Sequence, residues 1–226
     1  MIPWVGLLEL LFGGGAVIFL YGSSREMIDT GREFTELTVD PIFFGDGVPR
    51  GDGHPVMVLP GFLASDNYLR PLRGWLERMG YAPRASGIKR NTGRLVPLAA
   101  EVTERLAIAV RENGAPATLI GHSFGGVIAR NVARQRPELV RQVITLGAPL
   151  STDPAPLSPA IPLTAIYSRT DRMVRYPRAL GPDAARNFEI TGSHCGMAVN
   201  AQIYRHLATL LQPPLQLSEE RIQLGE

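Results

Sequence analysis

Ala117-Thr118-Leu119-Ile120-Gly121-His122-Ser123-Phe124-Gly125-Gly126 decides the fold of this 226-residue chain. Its first four residues form a short apolar run bounded by glycine, which reads as a buried strand. Phe124 to Gln135 reads as a helix. Between the two lies G-x-S-x-G on a strand, a turn and a helix. In that setting a serine is lifted out at the carboxyl end of a parallel sheet. Such a turn strains the backbone and crowds its neighbours, hence Gly121 and Gly125, while Gly126 lets the helix approach the sheet.

The same alternation continues on either side. Val56–Leu59 ends at Pro60-Gly61 and is apolar on both faces, as a buried parallel strand requires. A helix is predicted from a cap at Ser65 or Asp66 to about Met79, and a weak strand near Tyr81–Ala85. Leu95–Glu112 carries helical periodicity and closes at Asn113-Gly114. Val140–Leu146, Leu163–Tyr167 and Asn187–Ile190 read as strands, and Ala198–Leu211 as the last helix. Strands alternating with helices predict an α/β fold, with a mainly parallel central sheet flanked by helices on both faces.

Ile2–Tyr21 is an apolar run with Glu9 as its only charge, interrupted by Gly13-Gly14-Gly15. It predicts an apolar helix that packs on the globule or a partner, or that contacts a membrane or lipid interface. No positive residue precedes it and no small-x-small cleavage site follows. A cytoplasmic or membrane-associated protein is therefore favoured over a secreted one. Gly22–Pro55, with Asp40-Pro41, Gly45-Asp46-Gly47 and Gly51-Asp52-Gly53, reads as an irregular connector.

Hydrophobic residues make up 45% and charged residues 19%, which excludes a disordered chain. Basic and acidic residues number 23 and 21, a balance that gives no field for nucleic acid. The single cysteine, Cys195, excludes an internal disulfide. The four histidines show no H-E-x-x-H spacing, so neither a metal centre nor a cofactor is expected.

A serine hydroxyl needs a neighbouring base to become a nucleophile. Only His194 and His206 follow Ser123, and elbow enzymes run in the order Ser, Asp/Glu, His. His206 falls inside the last helix, as a surface or packing residue. His194 stands in the loop Thr191-Gly192-Ser193-His194-Cys195-Gly196, from which a base can reach the elbow. The acid is Asp171, after the strand Leu163–Tyr167, with Asp183 as competitor. A surface salt bridge to Arg172 or Arg175 is the alternative for either. Oxyanion donors are expected at the backbone N–H of Phe124 and of Phe62, with Leu63 as alternate. Phe62, Leu63, Phe124, Leu150, Met173, Val174 and Met197 are expected to line an apolar cleft, which suits an acyl chain more than a sugar.

Four segments, Val56–Phe62, Gly121–Gly126, Tyr167–Val174 and Gly192–Met197, stand in matching order and spacing across roughly residues 55 to 212. Together they resemble the α/β-hydrolase superfamily, and within it the small bacterial lipases and esterases without a large lid. The resemblance implies a serine carboxylic-ester hydrolase that cleaves lipid or aliphatic esters through an acyl-enzyme. Its nucleophile would be Ser123, its base His194 and its acid Asp171. It also implies a minimal cap, because only Leu150–Pro162, with its four prolines, occupies the place of the lid insert. Many lipases have His-Gly where this chain has Pro60-Gly61; that removes a side-chain bond from the turn and keeps the donor. Gly87–Gly93 is similar to a loop of such proteins, with no role assigned. The expected organisation is 1–54 apolar helix and connector, 55–212 catalytic domain, 213–226 tail. Two other classes stay open: an acyltransferase or thioesterase on the same triad, and a non-catalytic binding module on a hydrolase scaffold.

Overall fold

The computed structural model describes residues 24–152, 155–181 and 186–212. The apolar run 2–21, the tail 213–226 and Asp183 lie outside the described residues.

Six strands form one parallel sheet: β1 (Pro55–Leu59), β2 (Ala82–Ala85), β3 (Ala117–His122), β4 (Val140–Leu146), β5 (Leu163–Ser168) and β6 (Asn187–Ile190). Their order is β2-β1-β3-β4-β5-β6. Alternate side chains go to opposite faces, and both faces are buried. Val56, Val58, Ile120, Ile144 and Ile166 point to one core, where Leu72, Trp75, Tyr204 and Leu207 meet them. Met57, Leu59, Leu119 and Val143 point to the other, against Leu98, Val102, Ile128 and Val132.

Those helical residues belong to α3 (Arg70–Arg78) and α7 (Ala201–Leu210) on the first face, and to α4 (Leu95–Asn113) and α5 (Phe124–Gln135) on the second; a single turn, α6 (Tyr176–Ala179), follows β5. The helix predicted from Ser65 to Met79 begins as a 3-10 turn, Asp66–Leu69, because Asp66 turns away to hold Ser86 and Gly87.

The predicted irregular connector is mostly helix. Ser24–Val39 forms α1, and Asp40 caps a further turn, α2 (Pro41–Phe44), by accepting from the Ile42 N–H at 3.0 Å. The buried stripe of α1 is Glu26, Thr30, Glu33 and Leu37. That spacing is helical, but three of the four residues are polar, so no apolar periodicity announced it. Leu37 and Ile42 share the core of Val56 and Ile120. The expected division at residue 54 is therefore not a division in the packing.

Strand order reverses between β1 and β3. In open parallel sheets the crevice at such a point, outside the carboxyl ends, receives ligands. Pro60-Gly61-Phe62 leaves β1 there, and Ser123 leaves β3.

Candidate active site

Ser123 has φ 52° and ψ −125°, a region that costs a non-glycine residue on the order of 1–3 kcal/mol. Its conformation is over-determined. The Ser123 N–H donates to the Leu146 carbonyl at 2.8 Å, and its own carbonyl accepts from the Gly126 N–H at 2.9 Å. A Cβ at Gly121 would lie 2.4 Å from the Gly126 Cα, and one at Gly125 would lie 2.3 Å from the Leu59 carbonyl oxygen. The elbow closes only because both positions are bare.

Asp171 follows β5 and is buried. One of its oxygens, Oδ1, accepts from the N–H groups of Met173 and Val174, both at 2.8 Å. The other, Oδ2, meets His194 Nδ1 at 2.6 Å. Asp171 is therefore not in a surface salt bridge; Arg172 instead reaches Asp29 at 3.1 Å and Glu26 at 3.7 Å. With Nδ1–H donated to the carboxylate, His194 keeps a lone pair on Nε2, and that atom is buried with no hydrogen-bond partner among the described residues. No bond joins it to Ser123 Oγ here. Nucleophile–base contacts in empty sites are often long and tighten on substrate. His206 is half-buried on α7 with its ring 5.1 Å from that of Phe188. Among the described residues no group of three His, Cys, Asp or Glu gathers as metal ligands.

Gly61 sits against the nucleophile, since a Cβ there would lie 3.0 Å from the Ser123 Cβ. This sets the turn that carries Phe62 against the elbow. The Phe124 N–H is the first of α5 and has no acceptor within its own helix. Leu63, the alternate, is committed: its N–H donates to the Asn91 carbonyl at 2.7 Å. Asn91 is fully buried and makes two more bonds to the same turn, Nδ2 to the Pro60 carbonyl at 2.9 Å and N–H to the Ala64 carbonyl at 2.8 Å. The loop Gly87–Gly93 thus braces the turn that carries Phe62. Its sequence signal was Asn91-Thr92-Gly93, an Asx turn in which Asn91 Oδ1 accepts from the Gly93 N–H.

Of the expected wall residues, Phe62 and Met173 are exposed, and Leu63, Val174 and Phe124 are half-buried. Leu150 and Met197 are corrections. Leu150 is turned inward against Ala148 and Ala165, and Met197 is fully buried in the core beside Val199 and Ile203. Their apolar surface is already covered, so neither faces a substrate.

Sequence reasoning missed His122, the middle residue of Gly121-His122-Ser123. Its Nε2–H donates to the His194 carbonyl at 2.9 Å, and the two rings lie 4.9 Å apart. Burial, with help from neighbouring His194, pushes the His122 pKa down to about 3. An unfolded histidine titrates near ~6.5. Between those values the unfolded chain binds a proton that the native chain does not. Stability is full above the unfolded value and falls by about 1.4 kcal/mol per pH unit as the pH drops toward the folded one. His54, whose pKa burial also lowers, acts with the same sign. Urea midpoints measured from pH 7 to 4 should fall steadily, and the fall should be shallower in His122→Gln. Equal slopes in the two proteins would remove His122 as the cause.

A family model described as alpha/beta hydrolase fold matches residues 55–189. Lipase LipV of Mycobacterium tuberculosis is 29% identical over 114 residues, 49% of this chain and 40% of that protein. The chain thus spans about two fifths of that relative's length. Among solved structures, a YdeN-like hydrolase from Pectobacterium atrosepticum aligns with a TM-score of 0.54 at 19% identity, covering 81% of this chain and 99% of that one. An alpha-beta serine hydrolase homologue from Coxiella burnetii gives 0.54 at 18%, covering 72% and 85%. At these identities the structures speak for the fold. Asp171 lies inside the matched residues, while His194 and α1 lie outside them.

Proposed function

This chain belongs to the alpha/beta-hydrolase family, and from that premise we propose that it is a serine carboxylic-ester hydrolase acting on lipid or aliphatic esters. The observation that carries the reading is the buried Asp171–His194 pair, its loop bonded through the His194 carbonyl to His122, the residue before a serine held at φ 52°. The reaction then balances with water as the only co-reactant. Ser123 Oγ attacks the ester carbonyl carbon as His194 Nε2 takes its proton. The oxyanion that forms is met by the N–H groups of Phe62 and Phe124. Collapse breaks the ester C–O bond, and the leaving alkoxide takes the proton from the imidazolium. Water, deprotonated by His194, then attacks the acyl-enzyme and releases the carboxylic acid and Ser123. Asp171 fixes the tautomer and stabilises the imidazolium throughout.

Preference for an acyl group rests on the apolar rim of Phe62 and Met173, of which 42% and 38% is exposed. Each methylene a substrate buries there contributes about 0.8 kcal/mol. The insert after β4 starts as a single 3-10 turn, Leu150–Thr152, and Arg130 of α5 holds the carbonyls of Leu150 and Ala155. An insert this short, tied to α5, supports a mouth open to water, which favours hydrolysis over transfer to an alcohol. An apolar rim together with the run Ile2–Tyr21 also supports work at a lipid interface.

The test is hydrolysis of p-nitrophenyl esters from acetate to palmitate, alongside labelling by a fluorophosphonate probe. Turnover that rises with acyl length before levelling, with the label on Ser123, is the expected result. No turnover at any length and no label would overturn the reading. Label without hydrolysis, and ester formation with an added alcohol, would move it to acyl transfer.

A further inference from the structure

We infer that Glu33 of α1 is a positioning residue for the base, holding the loop that carries His194 in its working orientation; this rests on the triad reading above. Glu33 is 3% exposed. Its Oε1 accepts from both the N–H and the Oγ–H of Ser193, each at 2.7 Å, and its Oε2 accepts from Asn200 Nδ2 at 2.9 Å. The loop is moulded around this carboxylate. A Cβ at Gly192 would come within 2.8 Å of its Oε2, and one at Gly196 within 2.4 Å. Ser193 Oγ in turn accepts from the Gly196 N–H at 3.1 Å, closing the turn across His194.

Glu26, two helical turns earlier on the same face, takes the other side. Its Oε2 accepts from the Cys195 N–H at 3.3 Å. The residues before and after His194 are thus both suspended from carboxylates of α1. Tyr68 and His122 hold the carbonyls of Cys195 and His194 from the opposite side. The base is gripped through its own backbone and both neighbours.

Stability alone is a poor reason for this arrangement. A buried carboxylate carries a desolvation penalty, and among the described residues no cation bonds to Glu33; Arg32 helps it only through space, as the smallest of the influences on it. Burial raises its pKa, and the bonds from Asn200 and Ser193 pull it back. Packed apolar side chains in place of the carboxylate and its donors together would serve the core about as well. What an apolar side chain could not do is fix the direction of two loop donors at once. Catalytic groups tolerate errors of only about 0.5 Å, and a misplacement near 1 Å costs on the order of 10²-fold in rate. That is the effect expected of loosening this clamp.

The test compares wild type with Glu33→Gln on a p-nitrophenyl ester, reading kcat and KM separately beside a thermal melt. An amide oxygen can still accept from Ser193, but the amide nitrogen then faces Asn200 Nδ2, donor against donor. A fall in kcat of roughly 10- to 100-fold with KM within about twofold, in a protein that still melts cooperatively, is the result expected. The rate of fluorophosphonate labelling should fall by the same factor. Unchanged kcat, whatever the melt does, would overturn the positioning role and leave the triad intact. Loss of the wild type's own Ser123-dependent labelling would overturn the triad reading and this one with it. Should Glu33→Gln not fold, Ser193→Ala probes the clamp from the loop side. There a fall of about 5- to 10-fold in kcat is expected, and wild-type kcat would overturn the role.

Discussion

Ser123→Ala should lower kcat for a p-nitrophenyl ester by roughly 10⁵- to 10⁶-fold, the scale seen when a triad serine is removed, and leave the melt almost unchanged. The first half follows from the chemistry: without the hydroxyl no acyl-enzyme forms, and what remains is water attacking a carbonyl already held by two N–H donors. The second half follows from the fold. Ser123 is 7% exposed and its side chain makes no hydrogen bond among the described residues, while its backbone is fixed by Leu146 and Gly126. Alanine pays the same penalty at φ 52° and leaves no buried polar group unmatched. Stopped assays on both proteins, with calorimetry beside them, read the two halves separately. Retention of more than about a hundredth of the wild-type rate would remove Ser123 as nucleophile.

Asp171→Asn should cost about 10⁴-fold in kcat, through the tautomer and not through the fold. The geometry decides which way the amide turns. Met173 and Val174 present two N–H donors at 2.8 Å to Oδ1, so the amide oxygen must face them. The NH₂ group then points at His194 Nδ1, 2.6 Å from the wild-type oxygen. Nδ1 must become the acceptor, the proton moves to Nε2, and the atom that should take the Ser123 proton already carries one. The pH dependence should change as well, because activity then needs an imidazole without its orienting carboxylate. An active Asp171→Asn with wild-type kcat would mean that the dyad does not set the tautomer.

Much of this fold was legible because the strands are apolar on both faces and the helices between them are amphipathic. Phe124–Gln135 and Val140–Leu146 match residue for residue. Asp171 and His194, picked out by chain order and loop position, pair at 2.6 Å, while no bond joins His194 to Ser123. What escaped was written in polar residues. The stripe Glu26, Thr30, Glu33 and Leu37 gives α1 no hydrophobic signature, and its acids are buried only because partners about 160 residues away meet them. No local pattern encodes such a meeting. Leu150 and Met197 failed for the opposite reason. An apolar residue beside a catalytic loop suits either the wall or the support beneath it, and composition does not separate the two.

The grip of α1 on the base loop also sets an order of assembly. Glu33 and Ser193 are separated by 160 residues, Glu33 and Asn200 by 167, and Glu26 and Cys195 by 169. Contacts of that span close some of the longest loops in the described fold, so they are expected to form after the nearer pairings of β1, β3 and β4. A chain emerging from the ribosome exposes Ser123 long before the residues that arm it. On the proposed triad, Ser123 would stay inert through synthesis, and competence would arrive only when the two ends of the described fold have met.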